Sequence, residues 1–165
     1  ARGLSEYAAA RDLWEALPGD HPVEIGAILG KLGAAHAELG HYDEATQQHL
    51  RALEVQRNAL GGGHPAVADS LHSLSRVHEA SGRLVEAIEA AEQMEAAAQR
   101  SGADAFVLSR ARIRLGQLRW RHGEELAAAR ELVVEASEVM AQTPDREPEV
   151  QAEVRAWLQS HPLPE

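Results

Sequence analysis

The sequence predicts an all-α protein, an α-solenoid of antiparallel helical hairpins with about eight helices. The main observation is internal repetition, because the stretch that opens at His21-Pro22 resembles the one that opens at His64-Pro65, 43 residues later. The second observation is composition, since hydrophobic residues make up 44% of the chain while aromatic residues make up only 4%. Alanine and leucine supply most of the repeated apolar positions, and both favour helices.

Glycine and proline mark the ends of the predicted helices. Gly40, Gly82 and Gly123 are spaced 42 and 41 residues apart, and each can adopt the positive φ that ends a helix. Pro22 and Pro65 suit the first position of a helix, where the missing N–H has no partner in any case. Each hairpin therefore has a helix A before the glycine and a helix B after it. The predicted helices are about 4–17, 22–39, 43–60, 65–81, 84–100, 104–122, 125–141 and 147–160.

Amphipathic spacing supports each helix in turn. The first helix A has an apolar stripe with helical periodicity, formed by Ile28, Leu29, Leu32, His36 and Leu39. The helix B that follows begins with two acidic residues, which favour a helix N-terminus. Its predicted buried positions are Ala45, His49, Ala52, Leu53 and Leu60.

The terminal segments differ from the repeats between them. The helix over 147–160 has one apolar edge, which suits a cap on the exposed end of an array. That edge consists of Val150, Val154, Trp157 and Leu158. The amphipathic pattern that begins almost at the first residue predicts a chain cut from a longer one. The predicted division is the second helix of a truncated repeat at 1–20, repeats at 21–63, 64–101 and 102–142, and a cap with its tail at 143–165.

Net charge and composition exclude several classes of partner. The formal net charge of −10 disfavours nonspecific nucleic-acid binding and anionic membrane surfaces, both of which require clustered cations. No segment has the length and apolar character of a membrane span or a signal peptide. The absence of cysteine fits a reducing compartment. The sequence therefore predicts a cytoplasmic protein that binds neither nucleic acid nor membrane.

The hairpins resemble the tetratricopeptide repeat. In the first copy, Leu32-Gly33, Gly40, Ala45 and Ala52 match the pattern of that family, and the third copy matches if one extra residue is allowed near Glu125. The long repeat is most similar to those of kinesin light chain and of many bacterial relatives. This resemblance implies protein or peptide binding. It does not extend to the chaperone adaptors that clamp a carboxylate with lysine and asparagine, because the predicted groove contains neither residue.

In such arrays the A helices line a concave groove, and the helical register assigns residues to it. The first repeat contributes only small residues, while the second and third contribute charged and aromatic ones. Trp120 and Arg121 are a candidate hot spot, since Trp and Arg dominate interface energies. The alternative is that Trp120 packs against the terminal helices and that the arginines pair with Glu79 and Glu124. The candidate groove residues are Asp69, His72, Arg76, Glu79, Arg110, Ile113, Gln117, Trp120 and Arg121.

No motif for catalysis, cofactor binding or metal binding is present. The sequence has no G-x-S-x-G, no phosphate-binding glycine loop and no HExxH. The chain contains nine histidines; His36 and His78 occupy the same position of successive repeats, which indicates aromatic replacements in the hairpins rather than metal ligands. We therefore expect a protein that is not an enzyme and needs no cofactor.

Three functional hypotheses follow from the sequence. The first is a noncatalytic scaffold that holds a peptide or a partner domain in the groove. The second is the C-terminal regulatory region of a larger bacterial signalling protein, such as a serine/threonine kinase. The third is self-association into a homo-oligomer through an exposed surface of the N-terminal hairpin.

Overall fold

The computed structural model describes residues 2–17, 21–123 and 125–163, and all regular secondary structure in these ranges is helical. The predicted fold class is confirmed, and each predicted helix boundary lies within two residues of the observed one. The helices are α1 (Arg2–Ala16), α2 (Pro22–Glu38), α3 (Tyr42–Leu60), α4 (Pro65–Ala80), α5 (Leu84–Ser101), α6 (Ala105–His122), α7 (Leu126–Met140) and α8 (Pro148–Ser160).

The helices pack as successive antiparallel hairpins. Within hairpins, α2 packs on α3, α4 on α5, and α6 on α7, while α3 packs on α4 and α5 on α6 between them. Helix α1 packs on α2 at one end, and α8 packs on α7 at the other. The division of the chain into repeats stays a prediction, and residues 1, 18–20, 164 and 165 of its terminal segments lie outside the described residues.

Helices α2, α4, α6 and α8 share one side of the array, which we call the A-helix face. Helix α2 contacts α4 directly, and Arg114 of α6 forms an ion pair with Glu79 of α4. Trp120 of α6 contacts Trp157 of α8. The terminal helix therefore extends the line of A helices.

The hairpin turns have the backbone geometry that the glycines predicted. Gly40, Gly82 and Gly123 have φ angles of 77°, 80° and 83°, which an L-residue with a side chain rarely adopts. The turn of the third hairpin differs, because Glu125 also has a positive φ, of 40°. Glu125 lies at the position where the third copy needs one extra residue to match the repeat pattern.

Small residues bring the two helices of a hairpin close together. A methyl group on Gly33 would lie 2.6 Å from Nε2 of His49, and His49 is buried as predicted. The predicted apolar stripe on α2 is wrong at its C-terminal end, because Leu39 is 49% exposed. Leu39 follows the last residue of α2, so the chain turns away before its side chain reaches the core.

Arginines link neighbouring hairpins by ion pairs. Arg83 bonds to Asp43 at 2.9 Å, and Arg146 bonds to Asp104 at 2.7 Å. Exposed pairs of this kind contribute at most about 1 kcal/mol each. They favour one register between hairpins, while the buried apolar residues supply most of the stability.

Candidate functional site

Three cavities open along the A-helix face. Cavity I, about 330 Å³, lies between α2, α3 and α4. Cavity II, about 530 Å³, lies between α4, α6 and α8. Cavity III, about 590 Å³, lies towards the C-terminal ends of the same three helices. Eight of the nine predicted groove residues line cavity II, cavity III or both, namely His72, Arg76, Glu79, Arg110, Ile113, Gln117, Trp120 and Arg121.

Cavity I is lined by both small and large side chains. Ala34, Ala37 and Ala80 line it together with Tyr42, so the small residues of the first repeat form only part of its wall. Its polar lining includes the buried ring of His49 and the side chain of Arg76. Burial lowers the pKa of His49 from 6.5 to about 4, which keeps this imidazole neutral at pH 7.

Cavity II carries a concentration of positive charge. Arg76, Arg110 and Arg114 line it together with His72. Burial, followed by the charges of these arginines, lowers the pKa of His72 from 6.5 to about 4. The field inside cavity II is thus positive, although the whole chain is acidic.

Glu79 connects cavity III to this cluster. Its carboxylate accepts a hydrogen bond from Arg121, and it forms ion pairs at 2.7 Å with both Arg114 and Arg121. Burial alone would raise the pKa of Glu79, but the charges and hydrogen bonds of the two arginines outweigh burial and lower it. Arg114 also donates from Nε to the hydroxyl of Ser75, so its guanidinium is firmly oriented.

Trp120 belongs to an aromatic cluster at the end of the array. Its ring lies 5.8 Å from that of Trp157 and 5.7 Å from that of His161, with an edge-to-face geometry in both contacts. The rings of Trp157 and His161 stack at 4.4 Å. The carbonyl oxygen of His161 also accepts a hydrogen bond from Nε of Arg130. The structure therefore places Trp120 against the terminal helix, as the alternative interpretation of the sequence proposed, although Trp120 still lines cavity III.

The other predicted groove residues have different surroundings. Asp69 is exposed and does not line any of the three cavities, although its backbone carbonyl accepts a hydrogen bond from Ser73. Ile113 lines cavity II but is only 5% exposed, and it belongs to the core cluster that includes Val154 of α8. Arg110 pairs with Glu147 at 3.2 Å. The predicted pairing with Glu124 lies outside the described residues.

Arg114 was absent from the predicted groove, although it lines both cavity II and cavity III. Its spacing carries the missing signal, because it stands four residues after Arg110 and three before Gln117. Residues with that spacing share a helix face. His49 was predicted as a core residue, and the structure adds that it lines cavity I.

Comparison with known proteins identifies the repeat. Helical hairpins stacked in this order define an α-solenoid of the repeat class. Residues 24–100 match the sequence model of the tetratricopeptide repeat family. A search of curated proteins finds no match. Residues 24–100 therefore belong to the tetratricopeptide repeat family, and the fold of the chain is similar to that of kinesin-light-chain-like repeats.

Solved structures share this fold at low sequence identity. BtubC (BKLC) from P. vanneervenii superposes with a TM-score of 0.82 at 16% identity over 94% of this chain and 62% of BtubC. A putative kinesin light chain with nearly identical TPR-like repeats from Podosopora anserina gives 0.70 at 22% identity, covering 96% of this chain and 80% of the other. The N-terminal domain of stress-induced protein-1 from C. elegans gives 0.62 at 14% identity, over 84% and 98%. This chain thus spans about three fifths of BtubC.

Tetratricopeptide repeats generally mediate protein–protein interactions, and the fold is a noncatalytic scaffold type. None of the described helices is both long and apolar enough to cross a membrane. Across residues 2–17, 21–123 and 125–163, no cluster of three or more His, Asp or Glu side chains could hold a metal ion.

Proposed function

We propose that this chain is a noncatalytic cytoplasmic scaffold that binds a peptide or a partner domain along the A-helix face. One observation carries the proposal: three cavities follow one another along that face, and Arg76 lines both cavity I and cavity II. Gln117 similarly lines both cavity II and cavity III. An extended segment lying across the helices could place successive side chains into these cavities.

Filling the middle of the face should block this binding. Gln117→Trp adds a large ring between cavities II and III without changing charge. The test uses peptides that the wild type selects from a random display library. We expect these peptides to bind the variant at least about ten-fold more weakly, which is a loss of about 1.4 kcal/mol in binding free energy. Gln47→Trp is the matched control, because Gln47 is exposed on α3, outside the A-helix face. Affinities are measured by calorimetry after circular dichroism shows that both variants fold.

The comparison between the two tryptophan variants decides the assignment. Peptides that bind Gln117→Trp as tightly as the wild type would place the binding surface elsewhere. Peptides that lose affinity for Gln47→Trp alone would indicate the B helices instead.

We propose self-association through α1 as a second candidate function. Leu13 is 62% exposed on α1 and Leu17, just beyond that helix, is 40% exposed. These two large aliphatic side chains at the end of α1 expose apolar area that a second copy of the chain could cover.

A charge at Leu13 should abolish this self-association. We expect the wild-type mass measured by light scattering to rise towards that of a dimer with concentration, and Leu13→Arg to stay monomeric. Val85→Arg is the control, because Val85 is 53% exposed on α5 and its variant should behave as the wild type does. A wild type that stays monomeric at every concentration tested contradicts the proposal.

A further inference from the structure

Cavity II contains polar groups that lack partners. Nδ1 of His72 and Nη2 of Arg114 are both buried without a hydrogen-bond partner. Arg76, on the same cavity wall, is exposed and forms no ion pair within the part of the chain that the structure describes. Buried polar atoms are nearly always hydrogen-bonded in folded proteins, so two unpartnered buried atoms beside the unpaired guanidinium of Arg76 indicate a ligand with several acceptor atoms.

Charge around cavity II identifies the sign of that ligand. Cavity II and the ion pairs that connect it to cavity III together hold four guanidinium groups and three carboxylates, which leaves an excess of one positive charge in a protein whose net charge is −10. The guanidinium groups belong to Arg76, Arg110, Arg114 and Arg121, and the carboxylates to Glu79, Glu147 and Glu153. An anion is therefore the ligand that this field attracts.

We propose that cavity II binds the phosphoryl group of a phosphorylated side chain on a protein partner. This inference rests on the proposed function, since it assigns a partner chemistry to the same A-helix face. Clusters of arginine recognise phosphoryl groups through charge-assisted hydrogen bonds.

The number of separate donors favours a phosphoryl group over a carboxylate. A single arginine fork satisfies both oxygens of a planar carboxylate, whereas the free groups here come from three side chains on two helices, Arg76 and His72 on α4 and Arg114 on α6. A phosphoryl group has three terminal oxygens in a tetrahedral arrangement, so it can accept from all three side chains.

His72 balances the charge of such a ligand. Arg76 on its own helix and Arg110 and Arg114 on α6 keep the imidazole neutral in the free protein, and Glu153 of α8 is the carboxylate on the cavity wall. A dianion would offset the arginines and favour the imidazolium. Binding should therefore be accompanied by uptake of a proton at His72.

To test this proposal, the protein is titrated with small probes at neutral pH, and binding is monitored through the side-chain NMR signals of His72. The probes are N-acetyl-O-phosphoserine N-methylamide, N-acetylglutamate N-methylamide and inorganic phosphate. We expect the phosphoserine compound to bind at least about ten-fold more tightly than either of the others and to shift His72 towards its protonated form. Arg76→Gln should weaken that binding about ten-fold, while Arg155→Gln, an exposed arginine of α8, should not change it.

Each other result overturns the inference. Equal affinity for the glutamate compound would make cavity II a carboxylate site, and tighter binding of inorganic phosphate would make it a site for the free ion. An unchanged affinity in Arg76→Gln, or no response at His72, would place the anion elsewhere. Each of these probes is at most one residue long and does not extend along the A-helix face, so a negative result with them leaves the Gln117→Trp experiment intact, and the reverse also holds.

Discussion

Gly116→Ala should destabilise the protein by about 2 to 3 kcal/mol, which is the cost of overpacking a close contact. A methyl group at Gly116 would lie 2.6 Å from the carbonyl oxygen of Ala129 and 2.6 Å from Cγ2 of Val133. Both neighbours are on α7 and buried, and a backbone carbonyl cannot move without shifting its helix. The helix propensity of alanine, about 1 kcal/mol better than that of glycine, offsets only part of this cost.

Gly30→Ala is the matched control for this prediction. Gly30 also lies inside a helix, α2, but a methyl group there would meet no atom within 4 Å. Only the gain in helix propensity remains, so this variant should be about 0.5 to 1 kcal/mol more stable than the wild type. Urea unfolding of all three proteins measures the difference, and a Gly116→Ala variant as stable as Gly30→Ala would show that α6 and α7 do not depend on this contact.

These glycines also show which parts of the fold the sequence could predict. Gly40, Gly82 and Gly123 act locally, through their own φ angles, so their spacing was enough to place the turns. Leu115-Gly116 repeats the pattern of Leu32-Gly33, in which a small residue follows the repeated leucine. The identity of the opposing atoms came only from the structure, because it depends on how α7 is rotated.

The candidate site was predictable to the level of a helix face. Helical register placed His72, Arg76 and Gln117 on one side, and the structure groups them around neighbouring cavities. Register could not show that Trp120 would contact Trp157, because that contact joins residues 37 positions apart in sequence. The burial of Ile113 could not be predicted for the same reason, since it depends on where α8 packs.

Ion pairs were the least predictable part of the site. The alternative interpretation of the sequence paired Glu79 with arginines of the groove. Glu79 does pair with Arg121, but it also pairs with Arg114, which the predicted groove did not include. Pairing between hairpins depends on a few ångströms of offset between helices. A repeat pattern gives the order of the helices and leaves that offset open.

Acidification should destabilise the protein through its buried histidines. Burial lowers the pKa of His49 from 6.5 to about 4, while a histidine in the unfolded chain keeps a pKa near 6.5. Between these two values the unfolded state binds a proton that the folded state does not, so stability falls as the pH drops from about 6.5 and levels off near pH 4. Each pKa unit corresponds to about 1.4 kcal/mol, which gives a total loss of about 3 kcal/mol from His49.

His49→Gln should remove this part of the pH dependence. Between pH 7 and pH 5 the wild type should lose about 2 kcal/mol more than the variant does, since the carboxylates contribute similarly in both proteins. Urea unfolding at the two pH values measures the loss, and an NMR titration of the His49 ring checks its pKa directly. Equal losses in the two proteins would mean that folding does not lower the pKa of His49. The pKa of His72 is also lowered to about 4, so protonation of His72 destabilises the folded state in the same way. The double variant His49→Gln/His72→Gln should therefore lose still less stability between pH 7 and pH 5.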